Sequence, residues 1–223
     1  MTTPVITSYE AEVNQAQPTQ VFKALGGFVV AAPTATAIPT AFTDGATANL
    51  IQLPVAWKRL GLLSKKDGID FSRAIKTDEE ESFGFNEPTR TDITSDVTSA
   101  KFTLQQTTRA ALEMYDFVDL SAVTPDTTTG EVSYNKPTIA SPIYYRMIFV
   151  AVDGAGTDRR YRIKIMPRAQ VTAVGDESWN NANATAFTLT MRATVDTALG
   201  YAVRNVFAGP GQKARNALAG FGS

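Results

Sequence analysis

With no His and no Cys among its 223 residues, the chain has no imidazole base, no thiolate nucleophile, no disulfide and none of the usual zinc-ligand sets. Acid–base chemistry would fall to carboxylates, and the densest run of these is Asp78-Glu79-Glu80-Glu81. An enzyme built on it would pair two carboxylates as the acid and base of a glycosidase. Successive residues of a strand point to opposite faces, so the run cannot form that pair by itself; a second partner would have to come from Asp67, Asp70 or Glu87. The plainer reading is a solvated hairpin tip. An all-oxygen cation site would need alternate Asp/Asn ligands and a distal Glu, and that spacing is absent. We assign no catalytic residue, no metal and no cofactor.

Three further groups carry chemistry-bearing side chains. Gly209-Pro210-Gly211-Gln212-Lys213 lacks the phosphate-loop frame and is expected to be a flexible tail. Arg160, Arg162 and Lys164, with Tyr145 and Tyr161 nearby, have the residue types that neutralise and stack a nucleic-acid strand. Alternation sets Tyr161 on the face opposite those cations, which favours an outer strand face paired with acidic groups. Trp57 and Trp179 offer a sugar-stacking platform or, more plainly, core and rim packing.

The elements that must position these side chains are mostly strands. Thr occurs 29 times and repeatedly alternates with apolar residues, as on a pleated sheet with one wet face. Tyr161, Ile163 and Ile165 alternate with Arg162 and Lys164; Phe187, Leu189, Met191, Ala193 and Val195 alternate with Thr188, Thr190, Arg192 and Thr194. Residues 143–152 are apolar on both parities and run into Asp153-Gly154-Ala155-Gly156, predicting a central strand that enters a hairpin with 159–167. After an alternating stretch over 100–106 the period changes to 3.6, with Thr107 or Thr108 as N-cap of a helix over 109–116 whose Ala111, Leu112 and Tyr115 share a face. Further strands are expected over 27–32, 55–63, 70–76 and 87–93. The class is mainly β, with one flanking helix. Residues 1–23 are polar and weakly helical, and residues 197–223 are Gly- and Ala-rich, so the organisation is an N-terminal arm (1–23), a β domain (24–196) and a C-terminal arm (197–223). Both arms are expected to need a neighbour to become ordered.

Lys and Arg total 21 against 22 Asp and Glu, a balance that disfavours a polybasic nucleic-acid or membrane surface. Glu10 and Glu12 stand where a signal peptide needs its apolar region. The apolar stretch 24–38 is interrupted by Gly26, Gly27 and Pro33 and is shorter than the roughly 20 residues of a spanning helix.

Gly26-Gly27-Phe28-Val29-Val30-Ala31-Ala32-Pro33-Thr34-Ala35-Thr36-Ala37-Ile38-Pro39 resembles the start of major tail tube subunits of long non-contractile-tailed phages (siphophage type), particularly those of actinobacterial hosts, with Ala35 where that family has Gly. The order of later segments is similar too: Trp57-Lys58-Arg59-Leu60-Gly61-Leu62-Leu63, then Asp67-Gly68, the acidic stretch 78–81, the strand-to-helix unit from Phe102 to Tyr115, the strand around Arg162 to Ala169, and the strand 187–195. The resemblance spans about 24–196. It implies a β-sandwich or partial barrel flanked by a helix, with six copies closing into hexameric rings that stack into a tube. Such a tube surrounds the tape-measure protein, meets tail terminator and distal tail proteins at its ends, and conducts DNA at ejection. The implied place is the virion tail, assembled in the host cytoplasm.

A closed ring would pair sheet edges that an isolated subunit leaves exposed, and near-neutral charge suits a conduit, since a basic lumen would retain a polyanion. On this basis the segment from Asp67 to Glu87 is expected to contact the next ring, with Phe71, Phe83 and Phe85 as apolar contacts and Asp78, Glu79, Glu80 and Glu81 facing the lumen or a basic partner row. Phe207 and Phe221 are expected to dock the C-terminal arm on a neighbouring subunit. Two other classes share the same strands: a β-sandwich binding module, such as a virion decoration or carbohydrate-binding protein, which would remain a discrete monomer or small oligomer, and a β-rich hydrolase, marked by a convergent carboxylate pair.

Overall fold

The computed structural model describes residues 8–222; residues 1–7 of the expected N-terminal arm lie outside the described residues. Eight strands form one antiparallel sheet in the order β2-β1-β5-β6-β7-β4-β3, with β8 paired to β6 beside that path. They are β1 (Gly26–Pro33), β2 (Lys58–Arg59), β3 (Ile69–Glu80), β4 (Arg90–Leu104), β5 (Tyr144–Asp153), β6 (Arg160–Val174), β7 (Phe187–Thr194) and β8 (Arg204–Ala208), joined by helices α1 (Tyr9–Asn14), α2 (Arg109–Asp116) and α3 (Pro210–Arg215). With 37% strand and 12% helix, the chain is mainly β, as its alternation predicts.

The sheet is rolled. The chain beyond β2 returns to the far end of β4 through a bridge between Leu63 and Leu104, with the Ser64 amide donating to the Thr103 carbonyl and the Gln105 amide to the Leu62 carbonyl. These contacts bring the β1 and β4 sides of the sheet together into a partial barrel. Its interior is filled by Val29, Phe102, Met147, Phe149, Leu189 and Met191 and their neighbours, and α2 packs Ala111 and Met114 against the same core. The rings of Phe71 and Phe102 meet Phe149 edge-on, with centroids at 5.2 and 5.7 Å, so β3, β4 and β5 touch across the roll.

β5 is central, and both of its faces are buried. Met147 and Phe149 enter the barrel core, while Ile148 and Val150 join Val30, Ala32, Ile163 and Ile165 in a second core. Phe42 and Trp57, from the long segment between β1 and β2, are buried in that second core. This is why residues 143–152 are apolar on both parities. An irregularity in the β5–β6 pairing, between Tyr145↔Ala169 and Met147↔Met166, changes the face of β6. Tyr161, Ile163 and Ile165 therefore serve the second core, while Ala169 and Val171 serve the first.

Several expectations need revision. The strand over 55–63 contracts to the two residues of β2, because Leu60 and Trp57 are used as core residues of a loop and not as one face of a strand. The separate strands over 87–93 and 100–106 are one strand of 15 residues. Helix α2 has the expected bounds, and Thr108 is its N-cap: its hydroxyl accepts from the Ala111 amide and donates to the Leu60 carbonyl. Leu112 and Tyr115 are half-buried, and the deepest positions are Ala111 and Met114.

The C-terminal segment lies on its own chain. β8 pairs with β6 from Tyr161↔Ala208 to Ile165↔Arg204, and the glycine pair expected to form a flexible tail starts α3. Gly209 has φ 104°, and a Cβ there would lie 2.5 Å from the Arg159 carbonyl oxygen; at Gly211 a Cβ would lie 2.2 Å from that of Asp158. These glycines let the backbone close onto the β5–β6 turn. On the other side of that turn, the buried Arg160 pairs with Asp153 and donates to the carbonyls of Thr19 and Val21, and the Lys23 amide donates to Asp153. Residues 19–23 are thus held against the barrel by the same chain.

Phe149→Ala should remove the contact shared by three strands and leave a cavity, a change that costs about 3–5 kcal/mol for a buried aromatic. Chemical denaturation checks this, and a loss below about 1 kcal/mol would contradict Phe149 as a shared core contact.

Candidate functional site

β3 and β4 outrun the body of the fold. Their pairing extends from Ile69↔Phe102 to Glu80↔Arg90 with a register shift after Lys76, and every residue of β3 beyond Ile69 is exposed. A strand of this length reaches about 30 Å from Phe71 to Glu80 at 3.3 Å per residue. The result is a two-stranded arm with its tip at residues 81–89. Such a ribbon buries little apolar surface and is marginal without a partner.

The arm nevertheless carries large apolar side chains. Phe83 and Phe85 stand out at the tip, and Ile75 and Ile93 are also exposed, Ile93 at 67% of its surface. Five carboxylates, Asp78, Glu79, Glu80, Glu81 and Glu87, occur between residues 77 and 89 with no cation among them. Asp78 faces Asp92 directly across the ladder, a like-charge pair that Arg90 offsets through its own contact with Asp92 at 2.7 Å. Asp78, Glu79 and Glu80 belong to β3 and only Glu81 begins the tip, so the acidic run is a strand end and not the turn itself. Asp67 lies in the turn before β3, and Phe71 sits at the arm's root against Phe149. Of the expected contact residues, the fold therefore brings Asp78 to Phe85 together at one extremity and leaves Asp67 and Phe71 at the other end of the arm.

Near its root the arm is clamped by Arg73, which donates to both oxygens of Asp96 at 2.7 and 2.6 Å. That hydrogen bonding holds the Asp96 carboxyl below its ordinary value, against a smaller opposing effect of desolvation.

A second feature lies at the open end of the barrel. β5 pairs Phe149 with Lys164 and Ala151 with Arg162, which puts these two cations on the barrel side of the sheet and not on an outer face. Of the basic row, Arg160 has the acidic partner expected of it, Asp153. Arg162 instead packs over the rings of Phe22 and Phe207 at 4.5 and 5.7 Å, and Lys164 over Phe71 at 4.4 Å. Burial lowers the pKa of the Lys164 ammonium. Both cations line a cavity of about 1120 Å³ whose wall also includes Arg59, Lys65 and the rings of Phe28 and Phe149. Among the described residues, no carboxylate lines it.

Phe207 and Phe221 stack on each other with centroids 6.3 Å apart and are both about half exposed. Trp57 is buried in the second core, whereas Trp179 is exposed beside Glu177, so burial of Trp57 removes it from any stacking platform. The sequence pattern around 160–164 registered the cations but not the cavity, because the ring partners Phe22, Phe71 and Phe207 come from three distant segments. The signal that could have found it is the set of isolated Phe residues flanking the sheet, which alternation leaves without a core position.

Residues 14–203 match the model of a family described as phage tail tube protein. No curated protein matches the chain. Among solved structures, a chain of the cryo-EM structure of the anti-feeding prophage (AFP) baseplate, 6-fold symmetrised, aligns with 94% of this chain and 99% of that one, at 11% identity and a TM-score of 0.43.

The Arg73 clamp has a defined pH dependence. A carboxyl whose folded pKa is depressed contributes fully above its unfolded value, near 4, and the contribution is lost as pH falls through the lowered folded value. An NMR titration should place the Asp96 midpoint below the ordinary carboxylate value, and Arg73→Met should return it there. An Asp96 midpoint already at the ordinary value in the native chain would contradict the clamp.

Proposed function

The chain belongs to the phage tail tube protein family, a structural component of phage tails, and from that premise we propose that it closes into hexameric rings which stack into the tail tube of a long non-contractile-tailed phage. The tube encloses the tape-measure protein, joins tail terminator and distal tail proteins at its ends, and conducts DNA during ejection. Assembly takes place in the host cytoplasm.

The observation that carries this reading is the β3–β4 arm. It projects roughly 30 Å, exposes Phe83 and Phe85, and has too little core to justify its length within one subunit. β3 is also an edge of the sheet, twelve residues long, a row of backbone donors and acceptors that a ring neighbour can pair. In this reading the arm contacts the next ring, with Phe83 and Phe85 as apolar anchors. Phe207 and Phe221, stacked on the surface, contact a neighbouring subunit. A formal net charge of -1 lets DNA pass without the counterion-release affinity of a basic channel.

The purified protein at rising concentration, followed by sedimentation and negative-stain electron microscopy, should give hollow tubes of stacked rings; a species that stays monomeric even when seeded with tail-tip complexes would overturn the reading. Replacing Asp78, Glu79, Glu80 and Glu81 together by Asn and Gln should impair stacking or DNA passage. Normal tubes with normal infectivity would remove the acidic run from that role. Because residues 204–208 are a strand of the sheet, deletion of the C-terminal segment would also uncover β6. Phe207→Ser with Phe221→Ser is the cleaner test, and unaltered polymerisation would exclude those rings as contacts.

A further inference from the structure

The cavity at the open end of the barrel and the tip of the arm are complementary in two respects. The cavity presents Arg59, Lys65, Arg162 and Lys164, together with phenylalanine rings, and no carboxylate among the described residues. None of these four cations has an ion-pair partner among the described residues, as is true of most of the chain's lysines and arginines; what sets them apart is their convergence on one wall without a carboxylate. The tip presents the reverse: five carboxylates and no cation over residues 77–89, with two exposed phenylalanines.

A tip cannot enter the cavity of its own chain. Phe71, at the root of the arm, already forms part of the cavity wall, and β3 then runs extended to Glu80, which carries the tip about 30 Å away. The occupant is therefore a second copy. A contact between two different patches of the same chain is heterologous, and repetition of it propagates copies head to tail.

We infer that the cavity lined by Arg59, Arg162 and Lys164 receives the β3–β4 tip of a second copy, placing Glu80 and Glu81 beside the cations and Phe83 against the phenylalanine rings. This rests on the reading that copies stack, and adds the site on which the arm lands. It also gives Arg162 and Lys164 a role: both cations are held on rings and kept unpaired within the subunit, so their charges are available to the incoming carboxylates. Phe207, which lines the cavity, then meets the neighbour's arm as part of the same contact.

The absence of Cys makes a disulfide test unambiguous. In the full chain, Ser82→Cys, an exposed tip position that leaves Phe83 in place, is combined with Leu62→Cys, an exposed position in the cavity wall, and compared with Ser82→Cys combined with Ile139→Cys, an exposed position outside it. Both are oxidised at high concentration and after sedimentation of any tubes. The cavity pair should give a ladder of covalent oligomers at least about tenfold stronger than the control pair, and adding Arg162→Glu and Lys164→Glu should reduce that ladder by a similar factor, given the coupling of close interfacial charges. Further reversal by Glu80→Lys and Glu81→Lys should restore it, which separates lost complementarity from lost folding. Tubes without the cavity ladder, or equal ladders from both pairs, overturn the docking and leave stacking intact. In samples seeded with tail-tip complexes, a cavity-specific ladder without tubes supports the head-to-tail docking of copies and overturns their closure into a stacked-ring tube, and the absence of both overturns both.

Discussion

The edge-on packing of Phe71 and Phe102 against Phe149 decides where the barrel ends and the arm begins, because it is the last point at which β3 touches the interior. Before it, Ile69 packs against the barrel core; after it, β3 has only β4 as a partner. Phe149 can occupy that position because β5 is buried on both faces: its even-numbered apolar residues are taken up by the second core, leaving Phe149 free to face the roll. The same residue pairs with Lys164, so the contact that launches the arm also forms one wall of the cationic cavity. The projecting surface and the recessed one share a foundation.

This arrangement separates stability from assembly. The two cores bury the large side chains, and a cavity made there carries the full penalty of lost burial and imperfect collapse. The arm contributes little to either core. Its cohesion comes from backbone pairing and the exposed cross-strand ion pair Arg73–Asp96, and such pairs are weak in water and weaker in salt. An element of that kind tolerates change in the free subunit, and its exposed apolar tip gains most when a partner removes it from water.

The strands that alternate cleanly were legible in the sequence, since their side chains obey a single rule of one wet and one dry face. Phe187 to Thr194 and the helix from Arg109 to Asp116 lie almost where period and capping place them. The length of β4 was not legible, because its outer end has no buried face to impose alternation: Thr91, Asp92, Ile93 and Thr94 are exposed irrespective of parity. Nor was the orientation of Arg162 and Lys164. Alternation correctly set them apart from Tyr161, but on a rolled sheet the face opposite one core is the barrel side, where Arg162 stays exposed and Lys164 half-buried on the wall of the cavity. The C-terminal glycines were misleading for a related reason. Composition alone makes Gly209 and Gly211 resemble a flexible tail, whereas their actual role is a close approach to the Asp158 and Arg159 carbonyls.

In the proposed function the arm is an assembly element, exposed in the single subunit and covered in the tube. Backbone hydrogen exchange, compared between the free chain and sedimented tubes, tests this directly. Amides of residues 81–89 and the adjoining ends of β3 and β4 should exchange rapidly in the free chain and become strongly protected in tubes, while those of β5 are protected in both. Arm amides that exchange equally fast in the two states would contradict the claim.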